Sequence, residues 1–380
     1  MQYRKFGSTD FKVSALGFGA MRLPVIGGDE SKIDEPLAIK MIRYAIDNGV
    51  NYVDTAYGYH RGNSEIVVGK ALKDGYRDKT RLATKLPVWL VNTREDMDRL
   101  LNEQLKKLDT DHIDFYLLHA LNKNSWDKVY NLGVLDWAES VIKKGLIRYI
   151  GFSFHDDLGT FKRIVDAYNW TFCQIQYNYM DIDNQAGMEG LKYAHSKGLA
   201  VVIMEPLRGG RLANPPERVV DVFNSTNIKR SPVAWALLWL WNQPEVSTVL
   251  SGMSTFEQVK ENVEIASQSG INIFTNEELQ TIQRVRDTYL GIKAIDCTQC
   301  GYCMPCPNGV DIPRNFALYN EGVRYNDFGG PRWQYLNDLK AEERASSCIK
   351  CGECETKCPQ GLPIRDLLDM VKARFEEATT

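Results

Sequence analysis

The chain has 380 residues, 44% of them hydrophobic and 25% charged, with a formal net charge of −3. That length suits one large domain plus a small one, and the balance is ordinary for a globular protein. The small net charge gives no reason to expect nucleic acid or a membrane as partner, and the longest apolar run, Val233 to Trp241, is too short to span a bilayer.

Met1 to Phe6 lacks the apolar run of a signal peptide, so a cytoplasmic protein is expected. Residues 3–14 read as a hairpin turning at Ser8-Thr9-Asp10, and Ala15–Gly19 as a buried strand. Seven more short apolar runs follow: Asn51–Asp54, Arg81–Lys85, Ile113–His119, Ile147–Ser153, Phe172–Gln176, Ala200–Met204 and Thr248–Ser251. Helical patterns lie between them; in Arg94–Leu108, Met97, Leu100, Leu101, Leu105 and Leu108 form one apolar stripe. Alternating strands and helices with near-continuous apolar strands imply a parallel sheet covered on both faces. Eight such units predict an α/β fold, a closed (β/α)8 TIM barrel. Gly17-Phe18-Gly19-Ala20-Met21-Arg22 lacks the third glycine of a dinucleotide fingerprint, which argues against an open doubly wound sheet.

Glu277–Tyr289 is expected as a last helix on the barrel, and the composition changes at about Gly291–Ile295. The predicted domains are therefore a barrel over 1–290 and a small, mainly α-helical domain over 291–380. In the second, Ile312–Tyr325 and Arg332–Arg344 read as helices, while Ile364, Leu367, Leu368, Val371 and Phe375 make an apolar face suited to docking on the barrel.

Four ionisable residues stand at or just beyond predicted strand ends: Asp54, Tyr59, Lys85 and His119. A barrel builds its active site from such positions. A phenol is a poor acid at neutral pH unless something stabilises its anion, which a neighbouring ammonium would do. An aspartate would hold that ammonium charged, and a histidine would orient a carbonyl. The set suits carbonyl reduction, with Tyr59 protonating oxygen while hydride reaches carbon. Taken singly, each residue has a structural explanation; Lys85 as a solvated cation and Asp54 as a turn cap are examples.

Among the remaining histidines, His112 reads as a surface or turn residue and His195 as favouring a helix C-terminus. The tryptophans of Trp235–Trp241 read as core, and Cys173 as a buried strand residue.

Eight of the nine cysteines fall in two clusters, Cys297-x-x-Cys300-x-x-Cys303-x-x-Cys306-Pro307 and Cys348-x-x-Cys351-x-x-Cys354-x-x-x-Cys358-Pro359. The second run, closed by Cys-Pro, follows the two-cluster ferredoxin pattern in which the remote cysteine serves the other cluster, and the first departs from it by one residue between Cys303 and Cys306. That pattern predicts one 4Fe–4S cluster on Cys297, Cys300, Cys303 and Cys358, and another on Cys348, Cys351, Cys354 and Cys306. A pair of zinc sites, each held by four cysteines, is the alternative. Clustered cysteines also suit a reducing cytoplasm.

Asp54-Thr55-Ala56-x-x-Tyr59, Lys85 after Leu82-Ala83-Thr84, and Asp114-Phe115-Tyr116-Leu117-Leu118-His119 resemble the aldo-keto reductase signature. Ile150-Gly151-Phe152-Ser153, Gln174-Ile175-Gln176-Tyr177-Asn178 and Val249-Leu250-Ser251-Gly252 extend the resemblance over about residues 1–290. It implies Tyr59 as general acid assisted by Lys85 and Asp54, with His119 positioning the substrate, and by analogy it places His155 near the pocket. It also implies a nicotinamide dinucleotide at the barrel mouth, near Ala20, Met21, Asp54, Ser153, Gln174, Met204, Leu207, Gly252, Gln258 and Asn262. Gly252 and Gln258 stand where NADPH-preferring members put cations on the 2′-phosphate, which leaves NADH, NADPH and a flavin all open as cofactors. The tail resembles a helical dicluster ferredoxin domain, an iron–sulfur domain.

The function expected is an oxidoreductase that reduces a small-molecule carbonyl, or oxidises the alcohol, with NAD(P)(H), its tail carrying two 4Fe–4S clusters for electron relay; wiring to an electron-transfer protein partner, a one-electron step on substrate and a structural role for the clusters all stay open. The alternative is a non-enzymatic electron-transfer or scaffold subunit, flavin-dependent or not, whose barrel does not turn over.

Overall fold

The computed structural model describes residues 1–377 of the chain. Eight strands, β3 (Leu16–Gly19), β4 (Tyr52–Asp54), β5 (Arg81–Leu86), β6 (Ile113–Leu121), β7 (Ile147–Phe154), β8 (Phe172–Gln176), β9 (Ala200–Met204) and β10 (Val246–Gly252), close into a barrel. Every pairing is parallel, and β10 returns to β3. The expected TIM barrel is thus formed. Its strands are apolar along most of their length because the barrel interior covers one face and the surrounding helices the other.

Two preceding strands, β1 (Tyr3–Lys5) and β2 (Lys12–Ser14), make the antiparallel hairpin, with Tyr3 opposite Ser14. Phe6, in its turn, is fully buried and packs on Phe115, Phe172 and Tyr52, ring centroids 4.5, 5.5 and 6.0 Å away. These three lie near the starts of their strands, so the hairpin plugs the end where strands begin. The end where they finish is left for chemistry.

Alternation decides what appears there. Tyr52, Ala83, Phe115, Leu117, Phe172, Ala200, Val202 and Leu250 share one apolar cluster with Phe6. Side chains two residues further along a strand share the same face. That rule turns Asp54, Lys85, His119, Gln174 and Met204 toward the barrel axis, one layer above the apolar filling.

The contacts divide the chain into two compact units: Met1–Gly209 with Val233–Thr275, and Gly210–Pro232 with the chain from Asn276 onward. The helix Asn276–Gly291 groups with the second unit. That unit is helical, with helices at Ile312–Tyr325, Gly329–Asn337 and Ile364–Lys372. Ile312, Phe316, Tyr335, Ile364, Leu368, Val371 and Phe375 fill its own core, so the apolar face of the last helix is used there. Within the same unit Arg211 bridges Glu321 and Asp327 at 2.8 and 2.7 Å. The helix predicted over Arg332–Arg344 is cut short at Asn337, where the Arg344 guanidinium donates to the carbonyls of Leu336 and Leu339 at 2.6 and 3.0 Å.

The expectation of an iron–sulfur domain is corrected here. Cys297, Cys300, Cys303 and Cys358 line one pocket together with Ile312 and Phe316. Lining a pocket is a weaker condition than presenting three ligands to one metal. Among the described residues no group of three or more His, Cys, Asp or Glu side chains is arranged to hold a metal ion. Neither the set Cys297, Cys300, Cys303, Cys358 nor the set Cys348, Cys351, Cys354, Cys306 is assembled for metal ligation. The sulfurs sit in unlike surroundings: Cys300 and Cys351 are exposed, whereas Cys354 is buried. Burial pushes the Cys303 thiol up to about 11 and raises that of Cys354. The second unit is therefore described as a small helical domain.

Candidate active site

Asp54 is the last residue of β4, and Lys85 is the fifth of six in β5. Both are buried, Lys85 completely. The Lys85 ammonium donates to Asp54 Oδ1 at 2.7 Å, to the Thr55 carbonyl at 2.8 Å and to the Tyr59 hydroxyl at 3.3 Å. Its three N–H groups are thereby matched by three acceptors. Tyr59 opens a short turn, Tyr59–Gly62, in which His60 and Arg61 adopt left-handed backbone at φ 51° and 55°. That turn is held by the His60 ring, whose Nε2 accepts from Leu23 N at 3.0 Å while Nδ1 meets the Glu30 carbonyl at 2.9 Å. The His119 ring lies edge-on to the Tyr59 ring, centroids 6.1 Å apart. The four residues expected to act together are thus brought together.

Their electrostatics modify the expectation in one respect. Burial raises the Tyr59 phenol above its ordinary value, the Lys85 ammonium opposes this, and the Asp54 carboxylate adds to it. The ammonium does not win, so the phenol keeps its proton. Burial also raises the Asp54 carboxyl against the pull of Lys85. Lys85 itself would be lowered by burial, but Asp54 and then Tyr59 hold it above the usual lysine value. Burial, Lys85 and His155, in that order, push the His119 imidazole well below the usual range, so it is neutral at neutral pH. The site therefore holds an ion pair, a protonated phenol and a neutral imidazole.

The residues expected around a dinucleotide lie on strand ends or on the segments that follow them. Ala20 and Met21 form the turn after β3, Ser153 and Gln174 lie in β7 and β8, and Met204 ends β9. Leu207 follows β9, Gly252 ends β10, and Gln258 and Asn262 lie in the next helix, Phe256–Ser267. Three buried polar atoms at this level, Asp54 Oδ2, His119 Nδ1 and Gln174 Oε1, have no hydrogen-bond partner among the described residues. Such atoms fit a polar ligand that would satisfy them. Ser153 Oγ accepts from Ala120 N at 2.7 Å, and Asn262 Nδ2 donates to Ser251 Oγ at 3.0 Å. Gln258 is committed elsewhere. Its Oε1 accepts from Ser254 N and Thr255 N in a capping box, leaving only its amide N–H groups for a ligand.

Of the other histidines, His112 pairs with Asp111 at 2.6 Å and His195 is exposed in the last turn of its helix. His155 follows β7. Trp235, Trp239, Trp241 and Cys173 are buried, as expected of core.

Sequence reasoning missed a buried polar network behind Lys85, in which Glu65, Thr84, Gln104 and Tyr116 are linked by hydrogen bonds. It also missed Trp89, whose ring stands 5.0 Å from that of His119. A signal for Gln104 was present: it falls in the apolar stripe of its helix, four residues before Leu108.

Residues 15–287 match the sequence model of the Aldo/keto reductase family, and residues 296–362 match that of a 4Fe-4S dicluster domain. The second match accounts for the legibility of the cysteine spacing, while the geometry described above does not assemble either ligand set. L-galactose dehydrogenase of Arabidopsis thaliana is 28% identical over 283 residues, covering 69% of this chain and 87% of its own length. Among solved structures, the holo form of aldo-keto reductase AKR11C1 from Bacillus halodurans superposes with a TM-score of 0.63 at 28% identity, covering 75% of this chain and 96% of that one. An aldo/keto reductase from Klebsiella pneumoniae in complex with NADP and acetate shares the fold, with a TM-score of 0.61 at 23% identity, over 75% of this chain and 95% of its own.

Proposed function

The chain belongs to the Aldo/keto reductase family, and from that premise we propose that its barrel reduces a small-molecule carbonyl, or oxidises the corresponding alcohol, with NAD(P)(H). The observation that carries the reading is the contact of the Lys85 ammonium with both Asp54 and the Tyr59 hydroxyl at the finishing ends of β4 and β5. A nicotinamide dinucleotide, when bound, supplies the hydride. Candidate holders are Ala20, Met21, Ser153, Gln174, Met204, Leu207, Gly252 and Asn262, with Gln174 Oε1 available as an unpaired acceptor. The Klebsiella structure holds NADP, and the proposal takes a nicotinamide dinucleotide in place of the flavin also expected. The relay of electrons through two 4Fe–4S clusters loses its basis with the corrected ligand sets.

The chain's own residues divide the proton work. The neutral His119 imidazole offers a donor to the substrate oxygen without bringing a charge. Tyr59 stays protonated until a developing alkoxide, far more basic than a phenolate, takes its proton. Lys85 stabilises the phenolate that results, and Asp54 keeps Lys85 charged and in place. The small-molecule substrate is a carbonyl or alcohol that reaches this level of the barrel. No helix among the described residues is long and apolar enough to cross a membrane. We place the protein in the cytoplasm because its cysteines, all free among the described residues, suit a reducing compartment.

The test is consumption of NADPH and NADH with a panel of aldehydes, comparing the natural chain with Tyr59→Phe. Loss of the proton donor is expected to slow reduction by at least about 100-fold, the lower end of general-acid contributions, with dinucleotide affinity unchanged. Undiminished turnover in Tyr59→Phe removes the phenol from its role.

A further inference from the structure

Glu65 is a fully buried carboxylate that the chemistry above leaves unused. It lies at the start of the helix Ser64–Ala71, just after the turn that carries Tyr59. Its Oε1 accepts from Thr84 Oγ1 at 2.7 Å and from Gln104 Nε2 at 2.6 Å. Gln104 Nε2 also lies 3.1 Å from the Lys85 carbonyl. The Tyr116 hydroxyl donates to Gln104 Oε1 at 2.6 Å, which fixes the orientation of that amide and turns its N–H groups to Glu65 and to the Lys85 carbonyl.

Thr84 and Lys85 are neighbours on β5 and point to opposite faces. Lys85 therefore reaches inward to Tyr59, while Thr84 reaches outward to Glu65. The segment that holds the phenol and the strand that holds the ammonium are tied a second time, from behind. Burying a carboxylate is unfavourable, and an apolar side chain of similar size packs there at lower cost. Glu65 Oε2 has no hydrogen-bond partner among the described residues, its nearest cation being Lys107 at 3.5 Å. Packing alone does not explain a carboxylate so placed.

We propose that Glu65 is a positioning residue for carbonyl reduction: through Thr84, Gln104 and the Lys85 carbonyl it fixes the separation of the Lys85 ammonium from the Tyr59 hydroxyl. This rests on the function proposed above. A shift of that separation changes how well the ammonium stabilises the phenolate, and so changes the chemical step and its pH dependence. It leaves dinucleotide affinity alone.

The experiment is single-turnover oxidation of bound NADPH by an aldehyde, followed across pH, with NADPH affinity measured by quenching of protein fluorescence. Glu65→Leu is expected to slow hydride transfer by at least about tenfold and to move the alkaline limb of its pH profile, with affinity held within about twofold. Glu65→Gln keeps an amide oxygen for both donors and is expected to recover the rate to within about threefold of the natural chain. Thr84→Val keeps the volume and removes one donor; it is expected to slow the step about threefold or more, and it serves if Glu65→Leu does not fold. A natural rate and pH profile in Glu65→Leu, or in Thr84→Val where the first does not fold, overturns the inference, as does a loss that Glu65→Gln fails to restore. A natural chain that binds NADPH yet transfers no hydride rejects the functional reading, and the inference with it; the natural chain's own trace separates the two failures.

Discussion

Lys85 is the residue on which the site turns, because it touches both the group that keeps it charged and the group it assists. Removing it does two separable things. Lys85→Met leaves the Asp54 carboxyl buried without its cation, and breaking a buried pair from one side costs about 3–5 kcal/mol. It also removes the partner of the phenolate, so turnover falls. Adding Asp54→Asn to Lys85→Met relieves the first effect and not the second. The double variant is expected to regain about half or more of the lost stability in urea titration while its turnover stays depressed. Recovery of both together contradicts this division of roles. At this scale the sequence was informative about identity and silent about environment. Strand-end polar residues of complementary type marked Asp54, Lys85, Tyr59 and His119, but the net direction of the Tyr59 shift depends on how completely its surroundings exclude water, which no local pattern reports. Glu65 and Thr84 went unread for the same reason, since their significance lies in a contact between distant segments.

Among the elements, the hairpin is the piece whose work can be isolated from chemistry. Phe6 seals the end of the barrel where strands begin, in ring contact with Phe115, Phe172 and Tyr52. Asp54 stands two residues beyond Tyr52 on the same strand face, and the active layer is built on the apolar filling beneath it. Phe6→Ala is expected to cost about 3–5 kcal/mol in urea unfolding. Turnover of the folded protein is expected to stay within about threefold, because the strands themselves still fix the strand-end side chains. A collapse of turnover without loss of stability contradicts the assignment of the hairpin to plugging alone. The hairpin and the eight barrel strands were legible because each apolar run is short, bounded by turn residues and repeated with helical patterns between. The helix ending at Asn337 was overextended because its terminator, Arg344 folded back on the Leu336 and Leu339 carbonyls, lies seven residues beyond the end it sets.

For the molecule as a whole, spacing and geometry carried different weight in the two units. In the barrel, strand order converts scattered sequence motifs into one constellation, and the family match agrees with it over residues 15–287. In the small helical unit, the cysteine spacing was equally plain and matches a dicluster model over residues 296–362. Spacing constrains which loops can approach one another but not which way a thiol points, and the ligand sets expected of it are not assembled. The functional account accordingly rests on the barrel. Its central claim is that a neutral, buried phenol gives up its proton to the carbonyl oxygen while hydride arrives at carbon. The most direct measurement is the rate of hydride transfer from bound NADPH to an aldehyde, from about pH 6 to about pH 11, in the natural chain and in Tyr59→Phe. Reduction needs the phenol protonated, and burial raises that group above its ordinary value of about 10. The rate is therefore expected to be level through neutrality, to fall only above about pH 10, and in Tyr59→Phe to be at least about 100-fold lower with no alkaline limb. A limb near neutrality, or a rate in Tyr59→Phe equal to that of the natural chain, contradicts it.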